Sequence, residues 1–128
     1  MSRNFNLDER LIDFAVTIIS ITEQMDKTVA AKHIGAQLLR SGTSPALHYG
    51  EAQSAESRVD FIHKLKVLLK ELRESSSAMR IALKAKLAKE KEMMEQALAE
   101  CNELISIFVT SVSTAKKNLE LEKRKRKE

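Results

Sequence analysis

The sequence predicts an all-α protein, an antiparallel up-down-up-down four-helix bundle, and three observations carry that expectation. Ala, Leu, Ile, Lys and Glu dominate a chain of 128 residues with 4% aromatics, one Pro and three Gly, a composition that favours helix over sheet. Apolar residues recur at three- and four-residue spacing in four separate stretches, the period of a helix with one buried face. The connections between these stretches are short, so successive helices must reverse direction. A chain of this length forms one domain with a real core.

The first helix is predicted from Asp8 to Met25, capped by Asn6 or Asp8, with Asp8, Glu9 and Asp13 near the positive end of its dipole. Leu11, Ala15, Ile18, Thr22 and Met25 form one row, and Ile12, Val16 and Ile19 form a second beside it. So wide an apolar face has more to bury than one seam, so the second row reads as core or as subunit contact.

The second helix is predicted from Thr28 to Ser54 and contains Gly35, Gly42 and Gly50, spaced to lie near one face where another helix can approach. Pro45 lacks an N–H and clashes with the carbonyl four residues back. The passage Ser41-Gly42-Thr43-Ser44-Pro45 therefore predicts a kink, or a break with a restart in which Ser44 caps and Pro45 leads.

The third helix opens at Ser57, with Asp60 where a capping box has Glu, and is expected to end near Leu87. Phe61, Leu65, Leu68, Leu72, Met79 and Leu83 are its apolar stripe, with Ser75 and Ser76 weakening the seam between them. The fourth helix begins near Glu90, with Met94, Ala97, Cys101, Leu104, Phe108, Val112 and Ala115 as its seam. Residues 1–118 thus form the bundle. Residues 119–128 form a basic tail, expected to be frayed or disordered because like charges repel.

The net charge of +4 sits entirely at the C-terminus: residues 115–128 hold seven Lys/Arg against three Glu, and residues 1–114 hold fifteen of each sign. The body is electrically balanced, and its charges are patterned. On the third helix His63, Lys66, Lys70, Arg73, Ser77, Arg80 and Lys84 follow alternating spacings of three and four with no acid among them. They lie about 200° around from the apolar stripe. A straight row of cations about 30 Å long matches a phosphate backbone electrostatically. It is equally the pattern of a solvated outer face, or of a row that pairs with Glu92, Glu95, Glu100 and Glu103 of the fourth helix. Lys123, Arg124, Lys125, Arg126 and Lys127 add an electrostatic handle for nucleic acid or an acidic partner, or a solubilising end. No aromatic residue is interleaved there, so that segment has no base-stacking platform.

Catalytic and cofactor chemistry finds no foothold. His33, His48 and His63 are fifteen residues apart, and none has a His, Cys or carboxylate partner at the four-residue spacing of an H-x-x-x-H pair. Cys101 falls on the core seam, as a small buried hydrophobe. A single cysteine excludes an internal disulfide and a multi-cysteine zinc site, and it fits a cytoplasmic protein. Arg40, Tyr49 and Glu51 are read as a buried polar cluster that sets packing or subunit register. No cofactor, metal, catalytic residue or membrane span is expected, and Ser2, Arg3 and Asn4 do not read as a signal peptide.

The stretch RSGTSPALHYGEAQSAESRVDFIHKLKVLLKELRE, residues 40–74, resembles the bacterial four-helix-bundle family first noted as proteins encoded in intervening sequences of 23S ribosomal RNA genes. The matching residues are Leu38-Leu39-Arg40-Ser41 with Thr43-Ser44, Tyr49-Gly50-Glu51-Ala52-Gln53, Asp60-Phe61-Ile62-His63-Lys64 and Leu69-Lys70-Glu71. Phe14-Ala15-Val16, Leu104-Ile105 and Thr114-Ala115-Lys116 agree in order, so the resemblance spans residues 10 to 118. Pro45 and His48 stand where many relatives have an aliphatic residue and Asn.

The resemblance implies a bundle that assembles into a homo-oligomeric ring, typically a pentamer, and it supplies no catalytic residues. The chain is also similar to the accessory protein of diversity-generating retroelements, a basic pentameric barrel that engages nucleic acid and a reverse transcriptase. The family's name records gene location rather than a biochemical role. Residues and resemblance together lead to an expected non-enzymatic oligomer that binds RNA or DNA through backbone phosphates. The alternative is a scaffold for a protein partner with no nucleic-acid role.

Overall fold

The computed structural model describes residues 6–127. Ser2, Arg3 and Asn4, considered above for a leader, and Glu128 of the tail lie outside the described residues. Four helices follow one another, α1 (Leu7–Glu23), α2 (Val29–Gln53), α3 (Arg58–Lys84) and α4 (Lys91–Lys127), with no strand among the described residues. Each helix packs on its neighbours in sequence, and α4 returns to α1, closing a four-cornered bundle. Ion pairs fix the antiparallel sense. Glu51 late in α2 meets Lys64 early in α3, and Arg58 at the start of α3 meets Glu122 late in α4.

Local chemistry sets the helix ends. The Thr28 hydroxyl oxygen accepts the Ala31 N–H at 3.2 Å, and that of Ser57 accepts the Asp60 N–H at 3.0 Å, each satisfying an otherwise orphaned donor. Asn6 occupies the cap position of α1 without a side-chain bond. α3 stops at Lys84, a turn before the expected Leu87. Lys86 takes a left-handed φ of 58°, while Leu87 N–H reaches the Ala82 carbonyl and Lys86 N–H reaches Leu83. This is the doubly bonded ending usually built on glycine.

The break considered at Pro45 and the shared glycine face of α2 both meet a different outcome. The helix runs unbroken through Pro45, whose ring is buried in the bundle. The hydroxyls of Thr43 and Ser44 donate back to the Leu39 and Arg40 carbonyls at 2.7 and 2.6 Å in the turn before the missing N–H. The three glycines do not share one function. A Cβ on Gly42 would lie 2.8 Å from the Ile18 side chain, whereas Gly35 has ordinary contact with Met25 and Gly50 meets nothing. Close approach is therefore required at Gly42 alone, and it is made to α1 of the same chain rather than to another subunit.

The core draws on every helix. α4 buries Met94, Ala97, Cys101, Leu104, Phe108, Val112 and Ala115, the seam its spacing predicts. α1 is rotated from expectation: Leu11, Phe14, Ile18, Ile21 and Met25 are buried, and Ile12, Val16 and Ile19 remain exposed on the single chain. On α3, Ile62 and Ala82 enter the core, with Phe61 and Leu83 packed at its edge. Ser75 is no weak point. It is fully buried, donates to the Glu71 carbonyl at 3.1 Å and shares a hydroxyl–hydroxyl bond of 2.9 Å with Ser41 of α2. Finally, α4 remains helical to Lys127, so the segment placed beyond 118 as a frayed tail continues the helix. Leu119 packs against the core and Glu122 is held by Arg58, which carries the helix past the bundle's last apolar turn.

Gly42→Ala should destabilise the chain by about 1–2 kcal/mol, since overpacking against Ile18 outweighs the gain in helix propensity. Gly50→Ala should stabilise it by about 0.5–1 kcal/mol. Urea unfolding of the two variants reads both signs.

Candidate nucleic-acid interface

The direction α3 faces follows from its contacts with α2 and α4. Glu71 and Glu74 bind Arg40 of α2, and Ser76 donates to Asn102 of α4 at 3.3 Å. With those two flanks engaged, the remaining face of the helix looks outward. It carries His63, Lys66, Lys70, Arg73, Ser77, Arg80 and Lys84, all exposed. Lys66 to Lys84 extends about 27 Å along the helix axis.

Of the four α4 acids that could have neutralised this row, Glu100 and Glu103 are engaged elsewhere and Glu92 and Glu95 form no ion pair among the described residues. Arg10 of α1, whose side chain is only 11% exposed, takes Glu100 at 2.7 Å and Glu103 at 2.9 Å. Hydrogen bonding to Glu100, with help from Glu103, holds the Arg10 guanidinium above its ordinary pKa against the opposing cost of burial. Glu71 and Glu74 belong to Arg40, Glu51 to Lys64 and Glu122 to Arg58. Among the described residues Lys66, Lys70, Arg73, Arg80 and Lys84 form no ion pair, so the alternative in which the row pairs with Glu92, Glu95, Glu100 and Glu103 is not seen.

The outer face of α3 also bears an open groove of about 900 Å³, bounded by α2 on one side and α4 on the other. Lys66, Lys70 and Arg73 line it together with Lys116 of α4. Lys116 shares a helix face with Lys123 and Lys127 by spacing, so the α3 row continues along α4. Lys123, Arg124, Lys125, Arg126 and Lys127 are exposed there. Sequence reasoning passed over Lys116 as a site residue because only the fold brings it beside Lys66. It also missed the groove's aliphatic walls, where Ile81 is 50% and Val109 42% exposed.

The remaining singled-out residues hold the frame. Arg40 and Glu51 do not cluster with Tyr49; each reaches separately across to α3. Tyr49 packs edge-on against Phe108 with ring centroids 5.7 Å apart, and burial raises its pKa. The Ser44 hydroxyl stays on its own helix, Asp60 supplies the N–H capped by Ser57, and Phe61 borders the core. Lys64 holds the Glu51 carboxyl below its ordinary range through their hydrogen bond. Cys101 donates to the Leu72 carbonyl at 3.1 Å, and burial pushes its thiol up to about 12. Among the described residues no group of three His, Cys, Asp or Glu could hold a metal ion, and no helix is long and apolar enough to cross a membrane.

Comparison with known proteins agrees with this architecture. The family profile described as 23S rRNA-intervening sequence protein matches residues 3–110. A crystal structure of a protein of unknown function from the S23 ribosomal protein family of Bacteroides thetaiotaomicron VPI-5482 superposes with a TM-score of 0.72. The two are 27% identical over 82% of this chain and 96% of that one. No curated protein matches significantly.

Glu100→Gln should cost about 1–2 kcal/mol, because it weakens the pairing of a largely buried guanidinium at a partly exposed site. Lys70→Gln and Arg73→Gln should stay within about 0.5 kcal/mol of the parent. Thermal unfolding of the three variants separates charges that hold the fold from charges that do not.

Proposed function

This chain belongs to the family of 23S rRNA-intervening sequence proteins, and we propose that it is a non-enzymatic oligomeric bundle that binds nucleic acid, RNA in particular, through backbone phosphates. The observation that carries this is the row Lys66, Lys70, Arg73, Arg80 and Lys84, exposed and without ion pairs among the described residues. A solvated face that merely keeps a bundle soluble usually mixes both signs. This face carries one sign over five turns, in a body whose charges otherwise balance. Each cation placed on a phosphate releases condensed counterions, and that entropy drives sequence-independent binding.

Assembly into a ring, with five copies as the resemblance implies, belongs to the same proposal. α1 leaves Ile12, Val16 and Ile19 exposed, and α2 leaves Leu39 and Leu47. These rows are the surface we assign to contact between copies. Gly42, by contrast, packs against Ile18 within the chain. A ring repeats the cationic row around its circumference, so weak contacts to one nucleic acid add at high effective concentration.

The test is fluorescence-anisotropy binding of labelled RNA across a salt series. Log affinity should fall linearly with log salt, and replacing Lys70, Arg73 and Arg80 with Gln should reduce the slope by about 2–3. An unchanged slope would rule the α3 row out. An absence of binding at low salt would leave the scaffold for a protein partner as the working account.

A further inference from the structure

Phosphate contact alone leaves part of the groove over α3 unexplained. A row of cations binds a backbone from any solvated ridge and needs no apolar surface. Yet Ile81 and Val109 are about half exposed inside the groove. They stand on opposite sides of the ridge. Ile81, with Ala78 and Ile34, forms the α2 flank, and Val109, with Leu69, forms the α4 flank. Lys66, Lys70 and Arg73 line the same groove. Glu74 is the one acid on its walls, and Arg40 already neutralises it.

We propose that this groove takes unpaired, single-stranded nucleotides in preference to a duplex, with phosphates along the cationic ridge and bases laid against the aliphatic flanks. The inference rests on the nucleic-acid reading above and narrows it.

The argument is one of surface matching. A duplex hides its base faces in the stack and presents sugar and phosphate outward, so it offers the two flanks nothing apolar to cover. An unpaired nucleotide carries a flat, weakly solvated base face beside each phosphate. Covering Ile81 and Val109 with it removes apolar surface from water on both partners. Proteins that hold single strands without sequence preference combine a positive groove with a surface for bases. Here that surface is aliphatic. Among the described residues Phe14 and Phe108 are buried, and Tyr49 and Phe61 pack against the core. Aliphatic walls cannot stack as aromatic platforms do, so the base contribution per nucleotide is modest and tolerant of sequence.

The experiment uses the full chain and three labelled probes of equal phosphate number: a poly-uridine strand, an abasic strand with the same backbone, and an RNA duplex. The intact strand should bind about tenfold more tightly than the abasic strand. The double variant Ile81→Ser, Val109→Ser should bring the intact strand down to the abasic level without changing the salt slope. Equal binding of intact and abasic strands, or tighter binding of the duplex, would overturn this inference and leave the phosphate reading standing. Failure of every probe to bind at low salt would overturn both. The abasic comparison needs no variant, so a folding defect in the serine variant would not decide the matter.

Discussion

Two helices joined only by an apolar seam can slide by a turn or roll without losing much buried area, and the contact between α2 and α3 removes that freedom. Ser75 reaches Ser41 inside the core. Arg40 spans Glu71 and Glu74 one turn to the side, and Glu51 holds Lys64 further along. The buried serine pair is made only in this register; a slip would break it and press each hydroxyl against apolar side chains with no partner beyond its own helix's carbonyl. Because the register is fixed, so is the roll of α3, and with it the outward aim of Lys66 to Lys84. The family resemblance falls on these same residues. Arg40, Ser41, Glu51, Lys64 and Glu71 are a specification of how α3 is held, and the cationic row is what that hold displays.

Charge is divided with similar economy. An exposed ion pair is worth little to stability, but it decides which charges remain available to a ligand. Arg10 lies against α4 and engages two of its acids, Glu100 and Glu103. Those two carboxylates are committed to α1 and add no negative charge to the groove lining.

The parts of this structure that were legible in the sequence are those governed by one helix at a time. The seam of α4 follows from its spacing because only one apolar row exists there. The outward row of α3 follows from the same rule. On α1 two apolar rows compete, and the choice falls to a contact with another helix: Gly42 admits Ile18, which rolls α1 so that Phe14 and Ile21 enter the core in place of Ala15 and Thr22. Ser75 looked like a defect because its partner lies 34 residues away. The end of α4 looked disordered from its charges, whereas a tertiary ion pair to Arg58 continues the helix. Lys116 belongs to the cationic groove for a reason no local pattern contains, namely that α4 runs antiparallel to α3 and brings it level with Lys66.

The two exposed features of the chain do not compete for space. α3 packs on α2 and α4 and lies diagonally across the bundle from α1, so the apolar rows of α1 and the groove over α3 look in different directions. Copies joined through Ile12, Val16 and Ile19 would cover hydrophobic surface that a lone bundle leaves in water, and the groove would stay open. That separation matters energetically. Under the proposed function, exposed cations on one copy would bind a phosphate chain weakly and transiently, whereas the same row repeated on a closed assembly would hold the chain at the next copy while the first lets go. Assembly and ligand binding would then cooperate without any change of shape in the subunit, because the apolar face would supply multiplicity and the cationic groove the contact that is multiplied.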